Sequence, residues 1–351
     1  MKKNLMSLLI SLLLASTLFV SCGKKSTETT ANTAAAGTTV AAAPEKEQEN
    51  YGMVVFLKGS EFFNWSYAGF KDAAATVGDN INTELLGPAD WDASAEARAV
   101  DELVAKQFNG IAITAGDADT VVGSINKAMA AGIPTLTFDS DSINSDRLLF
   151  VGTDQFNAGY EAGKEMGKLL GDDARIGISM IPGLDSITGR INGFTAGLKE
   201  VAPGAQIVAT VNDEGDLQKA ETVNTAMLQA HPEINGIFCA HGNPATGAAA
   251  AARNVGRDTG DNKVNVMGFA LDVPILEMVE RGELVGTVAQ NPYLMGVMAF
   301  HALYSAAHPT QFDNPANPGM GNVPKTSIDT GVNVLFKGDP AIQSLKTPPQ
   351  L

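Results

Sequence analysis

Residues 110–139, GIAITAGDADTVVGSINKAMAAGIPTLTFD, decide the fold. Gly110–Thr114 is a short apolar run without alternation, as in a strand buried on both faces. Ala118–Ala131 then carries apolar residues at helical spacing. Ala131-Gly132-Ile133-Pro134 ends that helix on a glycine, and Pro134–Phe138 opens the next strand. Strand, helix and strand in this order argue for parallel neighbours with a helix packed over them.

The same alternation extends in both directions. Met53–Leu57, Ile176–Met180, Ile207–Val211, Ile234–Cys239, Val264–Phe269 and Leu284–Ala289 read as further buried strands. Ala93–Gln107, Phe156–Leu170, Gln218–Ala230, Ala245–Val255 and Met295–Ala307 read as helices between them. An α/β fold with parallel sheets covered on both faces is expected. Ala68-Gly69-Phe70-Lys71 is echoed by Asn192-Gly193-Phe194-Thr195, each in the helix after a first strand. Two doubly wound lobes of about 120 residues follow, with a cleft between their strand ends where ligands bind in such sheets.

The amino terminus has a different character. Lys2 and Lys3 precede an apolar run from Leu5 to Val20, and Ser21 stands before Cys22. This reads as a signal peptide over residues 1–22 with a lipoprotein-type processing site, the alternatives being a plain signal or an uncleaved anchor, and Phe19 occupies a position where such signals more often carry Leu. The expected product is exported and lipid-anchored through Cys22 on the periplasmic or extracellular side of a membrane. Residues 23–50 have no core-forming pattern and read as a disordered linker, holding the domain roughly 30 Å from the bilayer.

Composition narrows the function further. The formal charge is −15, and −17 without residues 1–22, because two lysines leave and 22 − 39 remains. An acidic surface argues against nucleic acid and against direct adsorption on anionic lipid. Cys22 and Cys239 are the two cysteines, so with Cys22 lipidated no internal disulfide is available. His231, His241, His301 and His308 are scattered, and no spacing suggests a metal site. There is no Gly-x-Ser-x-Gly elbow, and Gly159–Lys164 is one residue short of a phosphate loop. No cofactor, no metal and no enzymatic activity are expected.

Several short motifs occur in a set order: Phe62-Phe63, Phe138-Asp139, Gly152-Thr153-Asp154 with Ala158-Gly159, His231-Pro232, Gly268-Phe269, and Ala289-Gln290-Asn291-Pro292 with Gly296. Over roughly residues 51 to 336 the set resembles the ribose-type (type I) periplasmic sugar-binding proteins of ABC importers. The resemblance implies capture of a small neutral sugar or polyol by a monomer, and delivery to the importer's permease subunits. Lac-repressor relatives share this core but need a helix-turn-helix where this chain has a signal and a linker. A chemoreceptor or sensor partner, or a furanosyl signalling molecule as ligand, is the alternative within the family.

A neutral polyhydroxylated ligand presents hydroxyls that donate and accept, and apolar ring faces, so its site needs carboxylates, amides and flat aromatic rings. Such groups lie in loops after strands: Phe62, Phe63 and Trp65, then Asp90, Asp117, Asp139 and Asp141, then Thr188 and Arg190, His241 and Asn243, Asp272, and Gln290. Two adjacent aromatics cannot both face one core, so one of Phe62 and Phe63 belongs to the cleft. Trp65 can equally cover the rim, Asp141 can serve a turn, and Asp117 can cap a helix. By resemblance, Asp139 and Gln290 match the family's ligand positions and the two aromatics stack on the ligand. His241 falls where ribose binders carry asparagine, and their second ligand arginine falls near Thr188. Ser140 stands where they carry arginine, and Ala270 replaces an aspartate, with Asp272 two positions late. These departures argue against ribose itself.

Three crossovers are expected, near Thr153-Asp154, Gln290-Asn291 and Ile328–Val332. They divide the chain into a first lobe of residues 51–153 plus 291–328 and a second of 154–290 plus 329–336, with 337–351 as a tail. Hinge closure on the ligand is the expected mechanism.

Overall fold

In the computed structural model the described residues are 47–242, 244–309, 327–347 and 349. The signal peptide, Cys22 and nearly all of the 23–50 stretch lie outside them. From the amino end the elements are β1 (Glu49–Val54), α1 (Glu61–Val77), β2 (Ile81–Leu86), α2 (Ala93–Ala105), β3 (Gly110–Ile113), α3 (Val122–Ala130), β4 (Thr135–Phe138) and β5 (Phe150–Gly152). Next come α4 (Gln155–Leu170), β6 (Arg175–Met180), α5 (Asp185–Val201), β7 (Gln206–Asn212), α6 (Leu217–Ala230), β8 (Gly236–Cys239), α7 (Pro244–Asn254), β9 (Asn265–Gly268), α8 (Val273–Arg281) and β10 (Gly286–Gln290). The chain then forms α9 (Pro292–Ala307), β11 (Ser327–Asp329), β12 (Val332–Phe336) and α10 (Ala341–Leu345).

The strands form two six-stranded sheets, ordered β2-β1-β3-β4-β5-β11 and β7-β6-β8-β9-β10-β12. Each begins with the doubly wound order 2-1-3-4-5, whose direction reverses between its first and third strands. A crevice therefore opens at the strand carboxyl ends, between β1 and β3 in one lobe and between β6 and β8 in the other. Helices cover both faces: Tyr51, Met53 and Leu136 belong to one core of the first lobe, while Val54, Ile111 and Ile113 belong to the other. The second lobe repeats this, with Ile237 and Val266 on one side and Ile176, Ile178 and Phe238 on the other. Burial on both faces is why these strands are apolar without alternation.

The elements that the sequence pattern passes over are those that double burial does not shape. β2, at the edge of its sheet, carries Asn82, Thr83 and Glu84, while β5 and β11 have three residues each. β12 runs antiparallel to β10, a departure from the all-parallel expectation. α3 starts at Val122, not Ala118, because Asp117 accepts a hydrogen bond from the Thr120 N–H (2.8 Å) and holds a separate turn ahead of the helix. β1 begins at Glu49, so the last residues of the expected 23–50 linker belong to the first strand. α10 lies within the expected tail and buries Ile342 against the second lobe.

The echo around Gly69 and Gly193 marks equivalent helix crossings. A Cβ on Gly69 would fall 2.0 Å from the Tyr293 carbonyl oxygen in α9, and one on Gly193 would fall 1.9 Å from that of Phe156 in α4. In each lobe the first helix meets a helix entered from a crossover, backbone against backbone, and only a residue without Cβ permits that approach.

The chain passes between sheets three times: from β5 into α4, from β10 into α9, and from β11 into β12. Side chains tie these crossovers together. Asp329 accepts from the N–H groups of Asp154 and Gly331 (both 2.9 Å), Thr330 donates its N–H to the Gly152 carbonyl (2.8 Å), and Gln290 Nε2 donates to Thr153 Oγ1 (3.0 Å).

Close helix contact makes one position decisive. A Cβ at Gly296 would fall 1.8 Å from the Ser66 carbonyl oxygen, so Gly296→Val is expected to lower stability in urea unfolding by about 1–3 kcal/mol through overpacking. Gly123→Ala, where a Cβ meets nothing within 4 Å, is expected to be neutral or mildly stabilising. Equal effects would contradict the backbone-contact reading.

Candidate functional site

The carboxyl ends of the first sheet carry an aromatic wall. Phe56 follows β1, and Phe62 and Phe63 sit in the first turn of α1. Phe63 is buried edge-on against Phe56 (centroids 5.0 Å), Phe62 (5.5 Å) and Phe138 (6.3 Å). Phe62 is half-buried and packs against the cores of both lobes. The adjacent rings therefore divide their work: Phe63 makes the floor and Phe62 stands at the lobe boundary. Trp91 lies 5.9 Å from Phe56 and is 69% exposed, an aromatic face at the outer end of this wall. Beneath it Glu96 is buried, one carboxyl oxygen accepting from Gly116 N–H (3.0 Å) and the other unpartnered. Burial pushes its carboxyl up to about 8, the Gly116 N–H opposing and Asp117 adding to the rise.

Asp139 ends β4 with φ +59°, in the left-handed region that a non-glycine residue rarely enters. Ser140 N–H donates to the Phe138 carbonyl (2.6 Å), closing a three-residue turn around Asp139, while the Asp139 N–H donates to Val151 (2.9 Å). Among the described residues no group donates to its carboxylate. Desolvation pushes this carboxyl up to about 7, and the Arg190 cation opposite lowers it only in part. Arg190 comes from α5 of the other lobe. Its guanidinium lies 3.7 Å above the Phe269 ring centre, and its Nε and Nη1 donate to Gln155 Oε1 (2.7 Å) and the Ala240 carbonyl (2.9 Å). Burial draws the guanidinium down to about 10 against the pull of Asp139. Two opposite charges thus face each other from the two lobes, one held by two hydrogen bonds and a ring face and the other without a hydrogen-bond donor among the described residues.

The structure distributes the other expected residues unevenly. Gln290 sits at the second crossover, bound to Thr153. His241 follows β8, and its Nε2 meets the fully buried Asp213 (2.9 Å). Asp213 also accepts from Ser179 Oγ (2.6 Å) and Gly215 N–H (2.9 Å); burial would raise its carboxyl, and these bonds hold it below its ordinary value. His241 therefore has Nδ1 left for another partner. Asp141 is committed within its own lobe, where Arg147 Nε and Nη2 grip it at 2.5 and 2.6 Å and Thr137 Oγ1 donates at 2.6 Å. Thr188 is exposed, its hydroxyl returned to the Leu184 carbonyl (3.1 Å). Asp90 and Asp272 are exposed, and Asp272 begins α8. Asp117 holds its turn, and Asn243 lies outside the described residues. Trp65 packs against the second lobe's core and lines a cavity of about 330 Å³ with Gln290, Tyr293, Leu335 and Leu345, its indole N–H buried without a partner. It meets protein beside the hinge instead of standing free at the rim. Arg147, Gln155 and Asp329 were not singled out by sequence reasoning, because each acts on a partner that only the fold brings near.

Among the described residues no cluster of three or more His, Cys, Asp or Glu is placed to hold a metal, and no helix is long and apolar enough to cross a membrane.

Two doubly wound lobes with charged and aromatic groups facing each other from their strand ends define a hinged binding protein of type I. Residues 51–309 match the sequence profile of the periplasmic binding protein domain, and the chain belongs to that family. It is similar to the D-allose-binding periplasmic protein of Escherichia coli (29% identity, 73% of this chain and 84% of that protein). It is also similar to the ribose import binding protein of Bacillus subtilis (25% identity, 75% and 83%). Among solved structures, the arabinose-binding protein AraP of Geobacillus stearothermophilus superimposes with a TM-score of 0.78 at 27% identity, covering 86% of this chain and all of that one. The family and these relatives are binding proteins, and the chain is not an enzyme.

The raised Asp139 carboxyl gives a signed pH effect. Its value in this lobe-to-lobe arrangement, about 7, exceeds its ordinary 3.8. Protonation therefore favours this structure over any form in which Asp139 is returned to water, fully below the ordinary value, and the benefit is lost as pH rises through about 7. By small-angle scattering the ligand-free protein is expected to be more closed at pH 5 than at pH 8, and Asp139→Asn is expected to remove most of that difference. An undiminished difference in the variant would assign it elsewhere, with Glu96 the first alternative.

Proposed function

We propose that this protein is the substrate-binding lipoprotein of an ABC importer, tethered through Cys22, that captures a small neutral sugar or polyol between its lobes and presents the closed form to the permease. The observation that carries the sugar reading is the Asp139 carboxylate, half-buried and without a donor among the described residues, set between an aromatic wall and a braced arginine. Ligand hydroxyls are donors that such a carboxylate lacks, and they accept from an arginine; the Phe62 and Phe63 rings offer apolar faces to the ring carbons. The family and the sugar named for each relative support this reading.

Closure then follows from the chemistry. In an empty closed cleft Asp139 would lose water and gain only the partial attraction of Arg190, a net desolvation on the order of 1–3 kcal/mol. A ligand that supplies hydroxyls removes that cost in the closed form alone, so it favours closing by its differential contacts. Gln290 and Thr153, linked across the first two crossovers, lie where the lobes pivot. Ser140 and Ala270, in place of the charged groups of ribose binders, favour a different pentose, hexose or polyol.

The test is a thermal-shift panel of pentoses, hexoses and inositols, with mass spectrometry of whatever co-purifies, because a ligand bound only by the native state raises its melting temperature. At least one neutral sugar or polyol is expected to bind and to be recovered unaltered. Asp139→Ala and Gln290→Ala are each expected to weaken its binding by about 1–3 kcal/mol. Unchanged affinity in both would remove the site assignment, and a chemically altered ligand would remove the function.

A further inference from the structure

Gln155 is the first residue of α4, directly after the first crossover. Its two amide atoms face different ways. Oε1 accepts from Arg190 Nε (2.7 Å), and Nε2 donates to the Thr153 carbonyl (3.2 Å). The hydroxyl of the same Thr153 accepts from Gln290 Nε2 (3.0 Å), at the second crossover. A continuous series of contacts thus runs from Gln290 through Thr153 and Gln155 to the arginine that faces Asp139.

Backbone packing sets the separation of Gln155 and Arg190. One turn beyond Gln155, a Cβ on Gly159 would fall 1.9 Å from the Arg190 carbonyl oxygen. The two side chains therefore start from a fixed spacing. Phe269 fixes the plane of the guanidinium and the Ala240 carbonyl fixes one end. Gln155 fixes the Nε edge, and without it the guanidinium can swing about its stem toward Asp139, the carboxylate whose charge acts on it. An arginine paired directly with Asp139 would occupy the space and the charge that a sugar hydroxyl needs.

We propose that Gln155 is a positioning residue: it holds Arg190 in the orientation that reads the ligand and ties that orientation to the first crossover, without touching the ligand itself. This rests on the reading of the cleft given above. Gln155 therefore sets affinity through Arg190, and its contribution vanishes when Arg190 is absent.

The experiment measures dissociation constants for D-ribose, D-allose and L-arabinose in the full chain and in Gln155→Leu, Gln155→Glu, Arg190→Ala and the Gln155→Leu/Arg190→Ala double variant. Gln155→Leu is expected to weaken binding about tenfold, and to add less than about twofold once Arg190 is gone, because contacting residues are not additive. Gln155→Glu keeps an acceptor for Arg190 and is expected to recover most of the loss. A full tenfold effect in both backgrounds, or no effect in either, overturns the positioning role. If Arg190→Ala itself leaves affinity unchanged, the reading of the cleft fails first. A readout without sugar decides the case if none of the three binds: the Arg190 Nε–H is expected to exchange slowly with water in the parent and much faster in Gln155→Leu, and equal rates overturn the inference.

Discussion

Asp139 stands half-buried at the lobe boundary, where burial raises its carboxyl, and no group among the described residues donates a hydrogen bond to it. The remaining architecture arranges the consequences of that burial. β4 is followed by a turn with φ +59° at this residue, a conformation aspartate tolerates better than most L residues and that bonds from neighbouring backbone hold. Arg190 approaches from the opposite lobe but is occupied on three sides by its own surroundings, Phe269, Ala240 and Gln155. Neither charge alone satisfies the other, since the carboxyl remains pushed up to about 7 despite the cation opposite. On the function proposed here, a guest rich in hydroxyl groups would complete both, and occupancy would thereby be coupled to closure.

The two sheets put these groups in place through their shared strand order. Doubly wound order gathers loops at the strand carboxyl ends, and two such units joined by three crossovers turn those ends toward a common gap. The crossovers are individually short, but Asp329, Thr330 and the Gln290–Thr153 pair bind them to one another. The three crossovers thereby form one hydrogen-bonded unit. Trp65 and Phe62 add a contact between the lobes beside this hinge, where the indole N–H is buried unpaired. The unpaired N–H offsets part of what that apolar contact contributes.

Much of this was legible in the chain. Strands buried on both faces are apolar throughout, so β3, β4, β6 and β8 stand out from composition alone, and the Gly69 and Gly193 echo marks the repeated helix crossing. Edge strand β2 and the three-residue strands β5 and β11 escape, because partial burial and short length leave no pattern. In the site, strand-end position brings Phe62, Phe63, Asp139, Arg190 and Gln290 to attention, and the fold gathers them around the lobe boundary. Position alone cannot tell a free carboxylate from an occupied one. Asp141 sits two residues from Asp139, yet Arg147 claims it, and only the folded loop reveals that pairing. Gln155 gives no signal at all, since its importance lies in an arginine 35 residues away.

The most direct measurement is a crystal structure of the protein with a neutral sugar that it binds. The account places hydroxyl groups of the sugar within about 2.5–2.7 Å of the Asp139 carboxylate, a charge-assisted contact, with a ring face against Phe62 or Phe63 and Arg190 still braced by Gln155. A bound sugar that leaves Asp139 without a donor, or an Arg190 turned to pair with Asp139 directly, would contradict it.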